Sequence, residues 1–120
     1  RHPRYRLRWP ARLILGEDPG SGTAIDGRVH DLSIGGASVL CDMHIRNVRQ
    51  LTLMLTPPAL FPGQEQKIIT VHSKLVYSVH SDGHLRFRAG LQFVRFEAAG
   101  RSLLEERLAY HAPVFERLPT

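Results

Sequence analysis

Through most of this chain apolar residues recur at every second position, the spacing of a strand with one buried face. Arg12–Leu15 reads as a first strand, and Ala24–His30 as a second with Ile25 and Val29 on one face. Ala37–Cys41 is a short apolar strand. Leu51, Leu53 and Leu55 alternate with Thr52, Met54 and Thr56. Ile69, Val71, Leu75, Tyr77 and Val79 share one face of a long strand, with Thr70, His72 and Lys74 on the other. A return strand sets Leu85, Phe87, Ala89, Leu91 and Phe93 on one face. Between these runs, Gly16–Gly22 is dense in turn formers. Pro57–Gln66 is a loop, because Pro57, Pro58 and Pro62 cannot donate to a ladder. "SDG" at Ser81–Gly83 marks a hairpin turn.

The period changes only near the end. Leu104, Leu108 and Ala112 fall four apart, with Leu103 beside them, which predicts an amphipathic helix over 98–112 that stops before Pro113. Glu105 and Glu106 read as its solvated face. Its narrow stripe suits a helix lying over one opening or flank of a sheet. The predicted fold is all-β with one terminal helix: a small six-stranded antiparallel β-barrel plus a C-terminal α-helix. The expected organisation is a single domain over 1–120, with a flexible Arg-rich arm at 1–11, the barrel at 12–96 and the helix at 98–112.

Composition narrows the function. A chain of 120 residues, 42% hydrophobic, fits one domain with a real core. Lys+Arg number 16 against 11 Asp+Glu, a net charge of +5 and a pI of about 10.1. That balance favours anionic partners, either nucleic acid or phosphate-bearing small molecules. No apolar run approaches the ~18 residues of a membrane span. Cys41 is the single cysteine, so no internal disulfide can form, and a reduced, cytoplasmic setting is expected. The start at Arg1, inside a basic cluster and without a Met, is expected of a piece of a longer protein. The 7 histidines show no ligand spacing with Cys41, so neither a metal nor a cofactor is expected.

Positive charge concentrates in "RHPRYRLRWPAR", where arginines alternate in part with Tyr5, Leu7 and Trp9. Trp9 is expected to pack against the barrel rim. The second notable stretch is "VHDLSIGGASVL", Val29–Leu40. On an extended backbone Asp31 and Ser33 point to the same side. Gly35 and Gly36 permit positive φ and close approach of another molecule. The turn's N–H groups can form a small anion nest. Alone, the stretch reads more simply as a side-chain-capped turn between strands. His30 faces away from Ser33 on a strand, so no nucleophile–base pair forms, and no enzymatic activity is expected. Arginine's planar fork matches phosphate oxygens and the O6/N7 edge of guanine. Several arginines on a flexible segment could therefore clamp a guanine nucleotide.

Taken together, the two stretches resemble the PilZ domain family, whose pattern is RxxxR followed one strand later by (D/N)xSxxG. Asp31, Ser33 and Gly36 fill the second motif completely. "AGLQFVRF", Ala89–Phe96, is similar to the family's late strand. The first motif has two registers. Arg4 and Arg8 satisfy it literally, whereas "HPRY" resembles its usual end, making Arg4 the second arginine and placing the first before Arg1. Arg4 belongs to either register, with Arg8 or Arg1 as companion.

The resemblance implies a receptor for cyclic di-GMP. It implies that Arg4 and its companion grip a guanine Hoogsteen edge and the phosphates, and that Asp31 accepts from guanine N–H groups. Ser33 would contact phosphate or base, and Gly36, beside Gly35, would keep space that a side chain would block. It also implies that the arm closes over the barrel on binding and passes the signal to a partner protein or attached effector. That effector would be a polysaccharide synthase or a flagellar or pilus motility system, with biofilm as the setting. Two other functions fit the residues: a degenerate adaptor that binds protein and no nucleotide, and a nucleic-acid-binding barrel driven by the basic arm with Tyr5 and Trp9.

Overall fold

The computed structural model describes residues 2–16, 22–83 and 86–114. Six strands and one helix follow in order: β1 (Pro10–Leu15), β2 (Ala24–Leu32), β3 (Gly36–Cys41), β4 (Gln50–Leu55), β5 (Ile69–His80), β6 (Phe87–Phe96) and α1 (Gly100–Leu108). All pairings are antiparallel, and the order β1-β2-β3-β6-β5-β4 closes on itself through β4 and β1. Closure leaves no sheet edge to cover. The inward residues of alternating strands, among them Leu13, Val29, Val39, Leu53, Leu55, Ile69 and Val71, are fully buried and fill the barrel.

Several boundaries differ from the expectation, and β2 runs on past His30 to Leu32, taking in Asp31. β1 begins at Pro10 rather than Arg12, because Ala11 already points inward with Leu13 and pairs with Gly27 and Leu55. The stretch expected as an arm is in part barrel wall. Tyr5 and Leu32 exchange both backbone hydrogen bonds, and the Trp9 carbonyl accepts from Val29 N–H, so this segment runs on beside β2. Its alternation sends Leu7 and Trp9 into the core and leaves Arg4, Arg6 and Arg8 exposed. The helix is shorter than 98–112. It runs from Gly100 to Leu108, and Ala112 lies beyond it and is exposed. Leu104 and Leu108 are buried and Leu103 half-buried. The start of α1 packs at Gly100 against Ile69 and Phe96, closing one end of the barrel. Arg107 is also buried on this helix. Its Nη1 donates to the Pro58 carbonyl at 2.7 Å and ties the helix to the proline-rich loop.

Of three bulges among the described residues, one of them at Val94 in β6, two set which side chains face out near the site. In β2 the register shifts between Val29 and Asp31, leaving His30 as the extra residue. Val29 pairs with inward Val39, so without the shift Asp31 would also point inward. With it, Asp31 pairs with outward Ser38 and Leu32 turns into the core. In β5 the register shifts between Leu75 and Tyr77, with Val76 extra. Tyr77 and Val79 were expected on the face of Ile69 and Val71. The bulge turns them outward, opposite Gly90 and Arg88, and they are exposed. The hairpin turn after β5 is closed by Ser81 N–H donating to the Arg86 carbonyl. Leu85, expected on the return strand, lies outside the described residues.

Candidate functional site

The site is built where the N-terminal segment crosses the end of β2. Tyr5 pairs with Leu32, which fixes Arg4 beside Asp31. Arg4 Nη1 donates to Asp31 Oδ1 at 2.6 Å, and both side chains reach solvent, Arg4 more than Asp31. The Arg4 carbonyl accepts from Val114 N–H at 2.7 Å, so the same residue also holds the segment after α1.

Ser33 behaves differently from Asp31. It is 5% exposed, and its Oγ accepts from Gly35 N–H and Gly36 N–H, each at 3.2 Å. The hydroxyl can donate to the Gly36 carbonyl at 3.3 Å, and Ser33 N–H donates to that carbonyl at 2.8 Å. These partners are all backbone groups of its own turn, so the capped-turn chemistry is present in full. Gly35 and Gly36 do not use positive φ. A Cβ on Gly36 would stand 2.5 Å from the Leu91 carbonyl oxygen, so this glycine is needed for β3 to approach β6. A Cβ on Gly35 would stand 2.8 Å from the His2 ring, which packs over the turn.

Arg4, Ser33, Gly35 and Gly36 share the lining of one cavity of about 490 Å3, together with His2, Ser38, Tyr77 and Gln92. Arg8 is not among its lining residues. Its carbonyl accepts from Arg28 Nη1 at 3.3 Å, and its charge is felt at His30 instead. Arg1 lies outside the described residues. The His30 imidazole is held below its ordinary range chiefly by burial, against the opposing effect of Asp31 and with smaller help from the charges of Arg6, Arg88 and Arg8. Cys41 is buried, which pushes its thiol up and away from reactivity. Among the described residues no three His, Cys, Asp or Glu side chains are grouped to hold a metal, and no helix is long and apolar enough to cross a membrane.

His2, Ser38 and Tyr77 were not singled out for this site by the sequence. "HPRY" carried a signal for His2. Tyr77 had none, because only the β5 bulge turns it outward.

Comparison with known proteins gives the same fold. The PilZ domain model matches residues 1–110. Among solved structures, the Bacillus subtilis inhibitor of motility (MotI/DgrA) superposes with a TM-score of 0.68 at 13% identity, covering 92% of this chain and 50% of its own. The PilZ domain of YcgR from Escherichia coli, solved with c-di-GMP, gives 0.63 at 13% identity, covering 92% and 88%. PlzA from Borreliella burgdorferi, solved in complex with c-di-GMP, gives 0.50 at 12% identity, covering 92% and 49%. The chain thus spans about half the length of MotI/DgrA and of PlzA. A search of curated proteins finds no match. The family match over nearly the whole chain and the closed six-stranded barrel agree: this chain belongs to the PilZ domain family.

Proposed function

We propose that this domain is a receptor for cyclic di-GMP, with Arg4 and Asp31 as its first contacts. The observation that carries this is their 2.6 Å pair on the outer wall, in which Arg4 also lines the cavity beside the Ser33–Gly36 turn while Asp31 stands outside that lining. The two PilZ-fold structures solved with c-di-GMP support it. Guanine offers N–H donors that suit Asp31, and its O6/N7 edge suits an arginine fork. A ligand with two phosphates suits a segment carrying Arg4, Arg6 and Arg8. Ser33 and Gly36 act by shaping the turn, and Gly35 supplies room beside it. Arg8 or Arg1, according to the register of the arginine motif, is the companion of Arg4 for the phosphates.

The signal leaves through the arm. Leu7 and Trp9 are anchored in the core, so the part that closes over the ligand is the short stretch ahead of them. Arg4 carries this motion outward, because its carbonyl holds Val114 N–H. A nucleotide that draws Arg4 off Asp31 therefore also shifts the segment after α1, which a partner protein or attached effector domain would sense. No covalent step is involved, and the domain acts by binding in a cytoplasmic setting.

Calorimetric titration with cyclic di-GMP tests the reading. Binding is expected, and Arg4→Ala with Asp31→Ala should weaken it at least about 100-fold, since each removes a charge-assisted contact. Single-stranded nucleic acid should not displace the dinucleotide. Absence of binding, or binding unchanged in the double variant, would overturn it.

A further inference from the structure

The outer wall holds more ligand chemistry than Arg4 and Asp31 account for. Strand pairing sets Asp31 opposite Ser38, Ser38 opposite Gly90, and Gly90 opposite Tyr77. Residues paired in this way project from the same face. The four therefore form one row across β2, β3, β6 and β5, and both bulges are needed to complete it.

The row has a floor and a platform. Tyr77's ring lies in the space that a Cβ on Gly90 would fill, with Cδ2 2.6 Å from that point. Only glycine at position 90 lets the ring lie down across β6. This brings the ring within two strand spacings of Asp31, about 10 Å. Tyr77 as a residue remains 39% exposed, and it lines the cavity it shares with Arg4 and the Ser33 turn. Between the two, Ser38 lines the same cavity, and its buried Oγ has no hydrogen-bond partner among the described residues. Arg88 lies over the ring, with Cζ 5.9 Å from the centroid, and its buried Nε is likewise without a partner among the described residues. Stacking surface and hydroxyl thus stand in one line with Asp31, and the Arg88 cation stands in the next row, two residues along β6 from Gly90.

We propose that Tyr77, seated on Gly90, is the stacking platform for a second base of the bound nucleotide, and that Arg88 beside it meets the adjoining phosphate. This rests on the cyclic di-GMP reading and extends it. Asp31 recognises one guanine by its edge. Tyr77 holds the other by its face, which any base possesses, so Tyr77 adds affinity and leaves base choice to Asp31. A ligand with one base cannot engage both ends of the row. The wall therefore selects for a dinucleotide over a mononucleotide.

The test is titration of wild type and variants with cyclic di-GMP and with GMP, alongside thermal melting. Tyr77→Leu keeps an apolar cover on Gly90 but removes the aromatic face. It should weaken cyclic di-GMP about tenfold or more, and GMP bound at Asp31 by less than about twofold. Tyr77→Trp should restore dinucleotide affinity. Gly90→Ala lifts the ring without altering it and should weaken the dinucleotide in the same way. Arg88→Gln should weaken it more at low salt than at high salt. If wild type fails to bind cyclic di-GMP, the receptor reading falls and this proposal with it. If wild type binds and Tyr77→Leu, melting like wild type, binds equally well, the platform alone is overturned. If Tyr77→Leu melts early, Tyr77→Trp decides: native melting with affinity still tenfold down would also overturn it.

Discussion

The Ser33–Gly36 turn and the outward row that starts at Asp31 adjoin in sequence, yet their polar groups serve different ends. In the turn, the Ser33 hydroxyl is engaged by the backbone of Gly35 and Gly36, and Gly36 is pressed against the Leu91 carbonyl. In the row, Asp31 is held by Arg4 in an exposed pair, the Ser38 hydroxyl has no partner among the described residues, and Tyr77 lies open. The turn is built as a protein interior is built, with the Ser33 hydroxyl satisfied within it and the Gly35 carbonyl taken by Phe93 N–H of β6. The row keeps its chemistry facing out. A motif written as one string, Asp31 to Gly36, thus contains residues that make the wall and a residue that stands on it.

Substitutions should separate the two regions. The largest effect is expected at Gly36. Gly36→Val drives side-chain atoms into the Leu91 carbonyl and should cost about 3 kcal/mol of stability, because the obstacle is backbone. Gly35→Ala meets only the His2 ring and should change the midpoint of chemical denaturation little, by less than about 0.5 kcal/mol. Equal losses at both glycines would break the distinction. Next comes Ser33→Ala, which removes the acceptor for two N–H groups and should cost about 1–2 kcal/mol in the same measurement. A Ser33→Ala protein of native stability that no longer binds nucleotide would move Ser33 from the turn to the row. Asp31→Ala should do the reverse. Its pair with Arg4 is exposed, so stability should change by less than about 1 kcal/mol while cyclic di-GMP binding is lost.

The smallest effect is on pH dependence. The folded protein holds the His30 imidazole below its ordinary value of 6.5. Just below that pH the unfolded chain binds a proton that the folded chain resists. Stability therefore rises with pH through this window, and falls as pH drops from the ordinary value toward the folded one. Melting temperature measured from pH 7.5 to 5.5 should fall less in His30→Gln than in wild type. Parallel curves would show that His30 does not contribute.

The strands were legible because a half-buried barrel imposes a period of two on every strand, and Ile25 with Val29 or Leu51 with Leu53 and Leu55 obey it. Trp9 was expected at the barrel rim from its place beside Pro10 and the first strand, and it is buried in the core. What the pattern did not carry were the bulges. One extra residue, His30 or Val76, inverts every later side chain without any residue type that marks it. That is why Tyr77 and Val79 were expected inside and stand outside. Its seat on Gly90 joins residues on two strands whose pairing follows only from that register. The N-terminal segment shows the converse. Tyr5, Leu7 and Trp9 alternate with arginines as strand residues do, but the density of charge reads as an arm. The buried Arg107 also had no signal, because its partner is a loop carbonyl at Pro58 and no sequence period reports a backbone oxygen.

The central claim places the ligand on the row from Asp31 to Tyr77, closed at one end by Arg4. Amide chemical-shift mapping during titration with cyclic di-GMP tests it most directly. The account predicts shifts at Arg4, at Asp31–Ser38 and at Tyr77 and Gly90–Gln92, with the amides of the Pro57–Ile68 loop at the helix-capped end unmoved, its prolines having none to report. No shifts on titration, or shifts confined to that loop and α1, would contradict it.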